Sequence, residues 1–334
     1  MEIDEVLSKM KSPRDIRPEI MWRQGILQIH ITRACDMACT GCTQGSNLAG
    51  KPVLMTPDQF EESCESLMDC PPPHFKPYWG VVGVFGGNPT VHPDFEEICR
   101  RMQRIVPFEQ RGLWSNNLRG YGKLCRETFN PEYSNLNVHM NRAAYDEIKR
   151  DWPESHPKGL QDSRHSPPWV AMQDMEDLTD DDRWNLVANC DINQLWSAII
   201  CVFRGELRAF FCEVAGAQSM LHQNEPDYPD TGLPVTPGWW NQSMKPFEAQ
   251  VRKHCFACGI PLKGEGDFAV TGTTEFVSKT HEEIYKLKHK NSKNIKIVTK
   301  LSEMGRKLER ATDYCENGLI DIKKLPKLVD SIKT

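Results

Sequence analysis

The sequence predicts an α/β fold in which helices cover a parallel sheet. Apolar, β-branched segments alternate with amphipathic segments over the first half of the chain, as they do in repeated strand and helix units. The 334 residues suffice for one large α/β domain with an appendage or for two smaller domains. The composition, 39% hydrophobic and 26% charged, is that of a soluble chain that can bury a sizeable core.

The predicted elements follow a polar leader, residues 1–23, which contains one short helix. Strands are predicted at Ile26–Thr32, Val81–Phe85, Gly112–Ser115, Asn135–Met140 and Trp169–Met172. Helices are predicted at Pro57–Met68, behind an N-cap at Thr56, at Phe95–Ile105 and at Ala143–Arg150.

Polar residues that follow the later strands are candidates for catalysis. In sheets of this kind the active residues lie at the carboxyl ends of the strands. His139 and Asn141 follow the fourth predicted strand, and Gln173 and Asp174 follow the fifth. A structural role, with every polar atom hydrogen-bonded, is the alternative for each of the four.

Charge is distributed unevenly along the chain. Residues 279–334 contain 14 Lys and Arg against 8 Asp and Glu, a net of +6, whereas the whole chain has a net charge of −5. We expect a basic, mostly helical tail on an acidic body. Such a tail suits a polyanionic partner, and a solvated helical segment is the alternative.

Hydropathy predicts a chain without membrane segments. The longest apolar run, Ala198–Phe203, has six residues, against the roughly 20 that a membrane-spanning helix needs. The first 22 residues mix acids and bases without an apolar region, which is unlike a secretory signal. We therefore expect a cytoplasmic protein.

Three of the thirteen cysteines stand together in a C-x3-C-x2-C pattern. Cys35, Cys39 and Cys42 directly follow the first predicted strand. Three thiolates on one loop can hold three irons of a cubane cluster and leave the fourth iron open for a ligand. A closed zinc site would need a fourth Cys or His nearby. Zinc and a chance group of thiols are the alternatives.

This motif after a first strand resembles that of the radical S-adenosylmethionine (SAM) enzymes. The resemblance implies that residues 24–185 form a partial (β/α)6-type barrel. It also implies a 4Fe-4S cluster whose open iron binds SAM, and an electron from the cluster that cleaves SAM to a 5′-deoxyadenosyl radical. An external one-electron reductant would supply that electron.

Two further segments extend the resemblance. Gly86-Gly87-Asn88-Pro89 is similar to the family's glycine-rich segment that receives the SAM amino group, with Asn88 where an acid is common. Ser115, Asn116 and Asn117 follow the third strand, where the family often holds the ribose or carboxylate of SAM. A second departure is Gly41, which stands where the family usually has an aromatic residue. Ordinary turns are the alternatives for both segments.

A second set of cysteines lies in the C-terminal half, at Cys190, Cys212, Cys255 and Cys258. A β-hairpin is predicted between them, with strands Ile199–Phe203 and Leu207–Phe211. The arrangement resembles the twitch or SPASM-type extension, which implies an auxiliary 4Fe-4S cluster in residues 186–278. Cys201 is a possible substitute ligand, and a four-thiolate zinc site is the alternative.

Other features have less defined meanings. A Pro-rich loop around Arg164 and His165 has the length of a lid or binding loop. Trp239 and Trp240 could cover a pocket, stack on a base or pack a domain junction. We interpret the remaining cysteines as buried or incidental thiols: Cys64, Cys70, Cys99, Cys125 and Cys315.

Five segments of the chain carry a further resemblance: residues 46–52, 85–95, 106–117, 162–168 and 190–223. Through them the chain as a whole is similar to a radical SAM group found in phages and bacteria. That resemblance implies isomerisation of an aminoacyl-modified thymine during phage DNA hypermodification, with DNA as partner and the host cytoplasm as location. A second hypothesis is a radical dehydrogenase or epimerase that acts on a sugar, aminocyclitol or peptide. A third, of another class, is a zinc-stapled nucleic-acid-binding protein.

Overall fold

The computed structural model describes residues 1–15, 26–48, 53–69, 77–161, 164–165, 167–190, 192–193, 198–262, 268–269, 274–288, 294–304, 315–316 and 319–320. The strands are β1 Ile26–Thr32, β2 Val81–Gly86, β3 Arg111–Ser115, β4 Asn135–Leu136, β5 Arg164–His165, β6 Ile199–Phe203, β7 Glu206–Phe210, β8 Leu233–Pro234, β9 Phe268–Ala269, β10 Thr274–Val277, β11 Asn294–Ile297, β12 Cys315–Glu316 and β13 Leu319–Ile320. The helices are α1 Ile3–Lys9, α2 Pro57–Met68, α3 Phe95–Ile105, α4 Gly122–Thr128, α5 Arg142–Asp151, α6 Asp180–Ala188, α7 Glu213–His222, α8 Glu248–Gln250 and α9 Lys279–Lys288.

A seven-stranded sheet in the order β4-β3-β2-β1-β6-β7-β8 forms the centre of the molecule. The first five strands in this order pair in parallel, and β7 and β8 add two antiparallel pairings at one edge. Leu27, Ile29 and Ile31 of β1 enter the same apolar core as residues of α2 and α3. The predicted α/β architecture with a mostly parallel central sheet is confirmed.

Helix α2 begins where the sequence predicted. Thr56 accepts a hydrogen bond from the Gln59 backbone N–H, and the Gln59 side chain accepts one from the Thr56 N–H in return. This capping box, with Pro57 in the first turn, satisfies backbone donors that the helix cannot pair internally. The predicted α2 and its N-cap are both confirmed.

The predicted hairpin is also confirmed as β6 and β7. Its second strand, Glu206–Phe210, begins and ends one residue earlier than predicted, so the turn has two residues instead of three. Arg204 and Gly205 both have positive φ, +51° and +85°, the combination that suits the twist of a tight hairpin. Strand β6 pairs in parallel with β1. The central sheet therefore continues across residue 186, the predicted start of the extension.

Two predicted strands differ from the structure. Of Asn135–Met140, only the first two residues pair as a strand, and His139 and Met140 adopt positive φ in a turn. Trp169–Met172 forms no strand but a turn that enters a 3-10 helix, with the Val170 N–H donating to the Pro167 carbonyl. A short buried apolar run does not by itself distinguish a strand from a buried turn.

The described residues between 274 and 304 fold back onto the body. We call β10, α9, β11 and the 3-10 turn Leu301–Met304 the C-terminal unit; its two strands pair in parallel around α9. Val277 and Tyr285 of this unit pack against Trp169 and Leu48 in an apolar cluster. The described part of residues 279–334 thus contains strands as well as a helix, and a mostly helical tail stays a prediction. The remaining tail residues lie outside the described ranges.

Three other sequence interpretations can be compared with the structure. Trp239 and Trp240 are 1% and 3% exposed, and the Trp240 ring lies 5.2 Å from that of Tyr78. The pair therefore packs the core, and the interpretation as a base-stacking surface is wrong. Cys64, Cys99 and Cys125 are buried as predicted, and Cys70 lies outside the described residues. Within those residues, no helix combines the length and apolarity needed to cross a bilayer.

The turn of the β6–β7 hairpin provides a test of the fold. A side chain at Gly205 would meet no atom within 4 Å, so only its positive φ penalises substitution. We expect Gly205→Val to lower the free energy of unfolding by about 1–2 kcal/mol, measured by urea denaturation. Gly205→Asn is the control, because asparagine tolerates this conformation. Equal losses in the two variants would contradict the turn geometry.

Candidate metal centres

Cys35, Cys39 and Cys42 lie on one loop, residues 33–48, which leaves the carboxyl end of β1. All three are partly buried. Burial raises the pKa of the Cys35 thiol to about 12, while hydrogen bonds from the Met37 N–H and the Asn116 side chain act in the opposite direction. The charge of Cys42 also raises the pKa of Cys35.

Hydrogen-bond donors hold both the sulfur and the carbonyl group of Cys42. Burial raises the pKa of the Cys42 thiol, whereas backbone hydrogen bonds from Ser46 and Gln44 lower it. The Cys42 carbonyl accepts a hydrogen bond from the Trp169 indole N–H at 2.9 Å and another from the Gly45 N–H at 3.0 Å. These donors fix the backbone that carries the third thiol.

The glycine-rich segment after β2 docks directly on the start of this loop. The Gly87 N–H donates to the Thr32 carbonyl at 2.7 Å, and the Asn88 N–H donates to the Ala34 carbonyl at 2.8 Å. A Cβ at Gly86 would lie 2.4 Å from the Thr32 oxygen, and one at Gly87 would lie 2.3 Å from the Ala34 oxygen. Both glycines are therefore required for this backbone contact.

The Asn88 side chain is used inside the protein. It is fully buried, and its Oδ1 accepts hydrogen bonds from the hydroxyls of Ser115 at 2.8 Å and Thr90 at 3.1 Å. Its Nδ2 donates to Asp36 Oδ1 at 3.4 Å. These bonds tie the Asn88 side chain to the end of β3 and to the three-cysteine loop. A SAM-binding role for Gly86–Pro89 stays a prediction.

Asp36 is an acid at this site that the sequence analysis did not single out. Its Oδ2 accepts from Asn117 Nδ2 at 2.6 Å and from Arg119 Nη1 at 3.3 Å. Partial burial would raise the pKa of Asp36, but hydrogen bonds from Asn117, from its own backbone, and from Asn88 and Asn116 hold it below its usual value. The carboxylate therefore stays ionised at neutral pH. Its position directly after Cys35 was the available signal.

The four cysteines of the second set line one cavity. Its other walls are largely apolar and include Val187, Val214 and Ile260. Burial raises the pKa of Cys212 and of Cys255, and the charges of the other cysteines raise it further. The four thiols are thus within electrostatic reach of one another.

Local structure explains how these cysteines converge. Cys212 lies two residues after the end of β7 and is the N-cap residue of α7. Cys255 is the last residue of a π-helical turn, Val251–Cys255. Such turns are rare and are frequent at functional sites. The Ile260 N–H donates to the Cys258 sulfur at 3.4 Å. Cys201 is fully buried in β6 and is not among the cavity-lining residues.

Within the described ranges, no three His, Cys, Asp or Glu side chains are arranged around a single metal-ion position. A cubane cluster requires a different arrangement, because each thiolate binds its own iron atom. The donor chemistry of both cysteine sets, all sulfur, is the one that iron–sulfur clusters use.

The four weaker candidates make structural contacts. Asn141 Oδ1 accepts from the Ala144 N–H and so caps α5. Gln173 donates to the Thr280 hydroxyl, and Asp174 accepts from Ser278 and from the Thr280 N–H. Gln173 and Asp174 thus connect the 3-10 helix Met172–Asp174 to the C-terminal unit.

His139 lies in the left-handed turn after β4 and is partly buried. Its backbone N–H donates to Asn137 Oδ1 at 3.3 Å. A catalytic role for His139, Asn141, Gln173 or Asp174 stays a prediction. The side chains of Arg164 and His165 lie outside the described part of the structure.

A row of buried polar groups lies on one face of β1, opposite its core-facing Leu27 and Ile29. Gln28 Nε2 donates to the buried Glu213 Oε2 at 2.7 Å, and burial raises the pKa of Glu213. His30 is 2% exposed and lies edge-on to Phe85. The alternation of polar and apolar residues in β1 was a sequence signal for this face that the analysis overlooked.

Several buried polar atoms have no hydrogen-bond partner among the described residues. They lie at β1, at the cysteine loop and after β3: Gln28 Oε1, both ring nitrogens of His30, Arg33 Nε, Gln44 Oε1 and Asn117 Oδ1. A buried polar atom left unpaired costs about 1–3 kcal/mol. A polar ligand or ordered water would satisfy these atoms. Together with three thiols on one loop, they fit an iron–sulfur cluster with SAM beside it.

Comparisons with known proteins identify no family for this chain. No protein-family model matches the chain, and no curated protein matches it. Among solved structures, a similar chain is that described as the crystal structure of BtrN in complex with AdoMet and 2-DOIA. It is 11% identical, with a TM-score of 0.40, over 73% of this chain and 97% of that chain.

His30 predicts a defined pH dependence of stability. Burial lowers its pKa from 6.5 to about 3, so the unfolded chain binds a proton below pH 6.5 that the folded chain does not bind until about pH 3. The contribution of the neutral His30 to the free energy of unfolding is therefore fully present above pH 6.5 and is lost as the pH falls towards 3. Between pH 7 and pH 5 we expect His30→Gln to lose about 2 kcal/mol less unfolding free energy than the wild type.

Urea denaturation at pH 7, 6 and 5 measures this difference. His156→Gln, which changes an exposed histidine, is the matched control and should keep the wild-type slope. Parallel pH profiles for the wild type and His30→Gln would show that the imidazole is not buried as described.

Proposed function

We propose that this chain is a radical SAM enzyme. The contact between the three-cysteine loop and the segment Gly86–Pro89 carries the proposal. The family resemblance implies that both motifs contribute to one SAM site. They are separated by α2 and β2 in sequence, yet they meet through two backbone hydrogen bonds. They meet beside the carboxyl edge of a parallel sheet, where α/β enzymes bind their ligands.

In this function Cys35, Cys39 and Cys42 would hold a 4Fe-4S cluster whose open iron would bind SAM through its amino and carboxylate groups. When bound, the cluster supplies the electron that cleaves SAM to a 5′-deoxyadenosyl radical. The protein orients the cofactor and excludes water around it. Hydrogen bonds to Cys35 and Cys42 from neighbouring N–H groups stabilise the thiolate forms that bind iron.

Polar residues around the loop have roles that follow from their charge. Asp36 supplies a carboxylate where the glycine-rich segment has the neutral Asn88, so we assign it as acceptor for the SAM amino group. Arg33, the first residue of the loop, is buried, and its Nη1 donates to the Gly45 carbonyl. Its Nε has no hydrogen-bond partner among the described residues. We assign its guanidinium to the SAM carboxylate. Asn116 and Asn117 lie on the same side through their bonds to Cys35 and Asp36.

The second cysteine set, in this proposal, holds an auxiliary 4Fe-4S cluster. The shared cavity and the mutual charge effects of the four thiols support it. A cluster with four protein ligands has no open iron for a substrate, so electron transfer is the role that it favours.

A narrower proposal concerns the substrate, an aminoacyl-modified thymine in DNA that the enzyme isomerises. Four exposed lysines on the C-terminal unit support it because such side chains can bind phosphates: Lys279, Lys286, Lys296 and Lys300. Of these, Lys286 and Lys300 also pair with Glu282 and Glu176. A dehydrogenase or epimerase acting on a sugar, aminocyclitol or peptide is the alternative, and it requires no such lysines.

The first test is anaerobic metal analysis combined with SAM cleavage. With reconstitution at excess iron and sulfide, we expect about eight irons in the wild type and about four after Cys35, Cys39 and Cys42 are all changed to alanine. Formation of 5′-deoxyadenosine with dithionite should disappear in this triple variant, because the iron that binds SAM is lost.

Two controls separate the parts of this prediction. Replacing Cys64, Cys99 and Cys125 by alanine should leave the iron content unchanged, since these buried thiols belong to neither set. Asp36→Asn should keep the iron and weaken SAM binding, measured by isothermal titration. Zinc in place of iron, with no cleavage of SAM, would instead support a zinc-stapled nucleic-acid-binding protein.

The DNA proposal is tested by changing the four exposed lysines of the C-terminal unit to glutamine. If they bind phosphates, the slope of log affinity against log salt should fall by about 0.9 for each phosphate that the variant no longer neutralises. Deletion of residues 279–334 is unsuitable, because it also removes the buried His281 and Tyr285. The matched control changes four lysines of the body: Lys9, Lys123, Lys149 and Lys245. Equal affinities for both quadruple variants and the wild type would favour a small-molecule or peptide substrate.

A further inference from the structure

A buried side-chain bridge joins the backbones of the two cysteine sets. On one side, the Trp169 indole N–H donates to the carbonyl of Cys42 at 2.9 Å. Trp169 is fully buried. Any shift of the Cys42 backbone therefore acts directly on a large ring that has no free space around it.

His281 of α9 forms the other half of the bridge. Its ring meets the Trp169 ring edge to face, with centroids 5.3 Å apart at 85°. Its Nε2 lies 2.7 Å from the carbonyl of Ala257, the residue just before Cys258. A carbonyl only accepts, so Nε2 carries the hydrogen and donates it. His281 is 2% exposed.

The bridge ends within the metal-binding segments themselves. Cys42 is the last thiol of the first set, and Ala257 lies between Cys255 and Cys258 of the second. Only two side chains, Trp169 and His281, separate these backbones. Both are rigid aromatic rings, so the connection has few rotamers with which to absorb a displacement.

The C-terminal unit reinforces the connection at both ends. Its Glu275 carboxylate, 1% exposed, accepts from the Gly41 N–H at 2.8 Å, next to Cys42. Its Ser278 N–H donates to the Trp169 carbonyl at 3.1 Å. One unit thus holds the three-cysteine loop through Glu275 and the Cys255–Cys258 turn through His281.

We propose that Trp169 and His281 are positioning residues that couple the two cysteine sets, so that metal loading of either set favours loading of the other. The inference rests on the proposed function in that both sets are taken as metal centres. Coupling between two binding sites is reciprocal, so each set must change the affinity of the other by the same factor. Couplings of this kind typically amount to about 5- to 150-fold.

The experiment measures loading at a fixed, buffered free-iron concentration that half-fills the wild-type sites, where a change in affinity is visible as a change in occupancy. Iron, sulfide and the electron paramagnetic resonance signal of each centre are compared in three proteins. These are the wild type, the triple alanine variant of Cys35, Cys39 and Cys42, and the Cys255→Ala/Cys258→Ala variant. We expect each knockout to lower the occupancy of the intact set below its wild-type value.

The same comparison in bridge variants tests the residues themselves. Trp169→Phe keeps the ring but removes the donor to Cys42, and His281→Leu removes the donor to Ala257. In either background the mutual dependence of the two sets should disappear. His281→Gln should restore part of it, because its amide can donate to the same carbonyl. Trp152→Phe, which changes another fully buried tryptophan, is the control and should keep the coupling.

The outcomes are separable from those of the proposed function. Occupancy of each set that is independent of the other in the wild-type background would overturn the coupling, even if SAM is cleaved. If the sets bind zinc rather than iron, the enzyme proposal fails, and the same design at a buffered free-zinc concentration still measures the coupling. Coupling that persists in Trp169→Phe and His281→Leu assigns it to other contacts and overturns the role of the bridge. A wild type that binds neither metal overturns both proposals.

Discussion

The parallel pairing of β1 with β2 is the contact on which the rest of the site depends. It runs from Ile26 opposite Val81 to Thr32 opposite Gly86. Parallel strands end at the same edge of a sheet, so the three-cysteine loop and the glycine-rich segment leave it side by side. Beyond the last pair, the Gly87 and Asn88 amides continue the hydrogen bonding with the loop carbonyls. A shift of one residue would reverse the faces of β1 and separate the two motifs.

Burial of thiols gives both cysteine sets a similar electrostatic character. Desolvation raises the pKa of Cys35, Cys42, Cys212 and Cys255, so the free thiols are protonated at neutral pH. Binding of metal must then release these protons, which couples metal affinity to pH. At the first set, N–H donors to Cys35 and Cys42 offset part of this cost. At the second, the cysteines oppose one another's ionisation, and a bound cation would relieve that repulsion.

The C-terminal unit gives the architecture its second constraint. Its buried polar groups, Glu275 and His281, are partnered by backbone groups of the two cysteine segments. An unpaired polar group in such an environment would be costly, so these contacts specify where the unit docks. The unit therefore belongs structurally to the site, although the sequence suggested a separate basic tail.

The sequence by itself determined the elements whose signals are local. The N-cap at Thr56 directly precedes its helix, the hairpin turn lies between two strands that are adjacent in sequence, and the three cysteines lie within eight residues. Only the tertiary structure decided which distant groups meet: Asp36 with Asn88, Trp169 with Cys42, and His281 with Ala257. It also decided that Trp169–Met172 is a turn and that Trp239 is buried. Propensity acts over a few neighbouring residues, whereas burial and the pairing of polar groups depend on chain segments that come together only on folding.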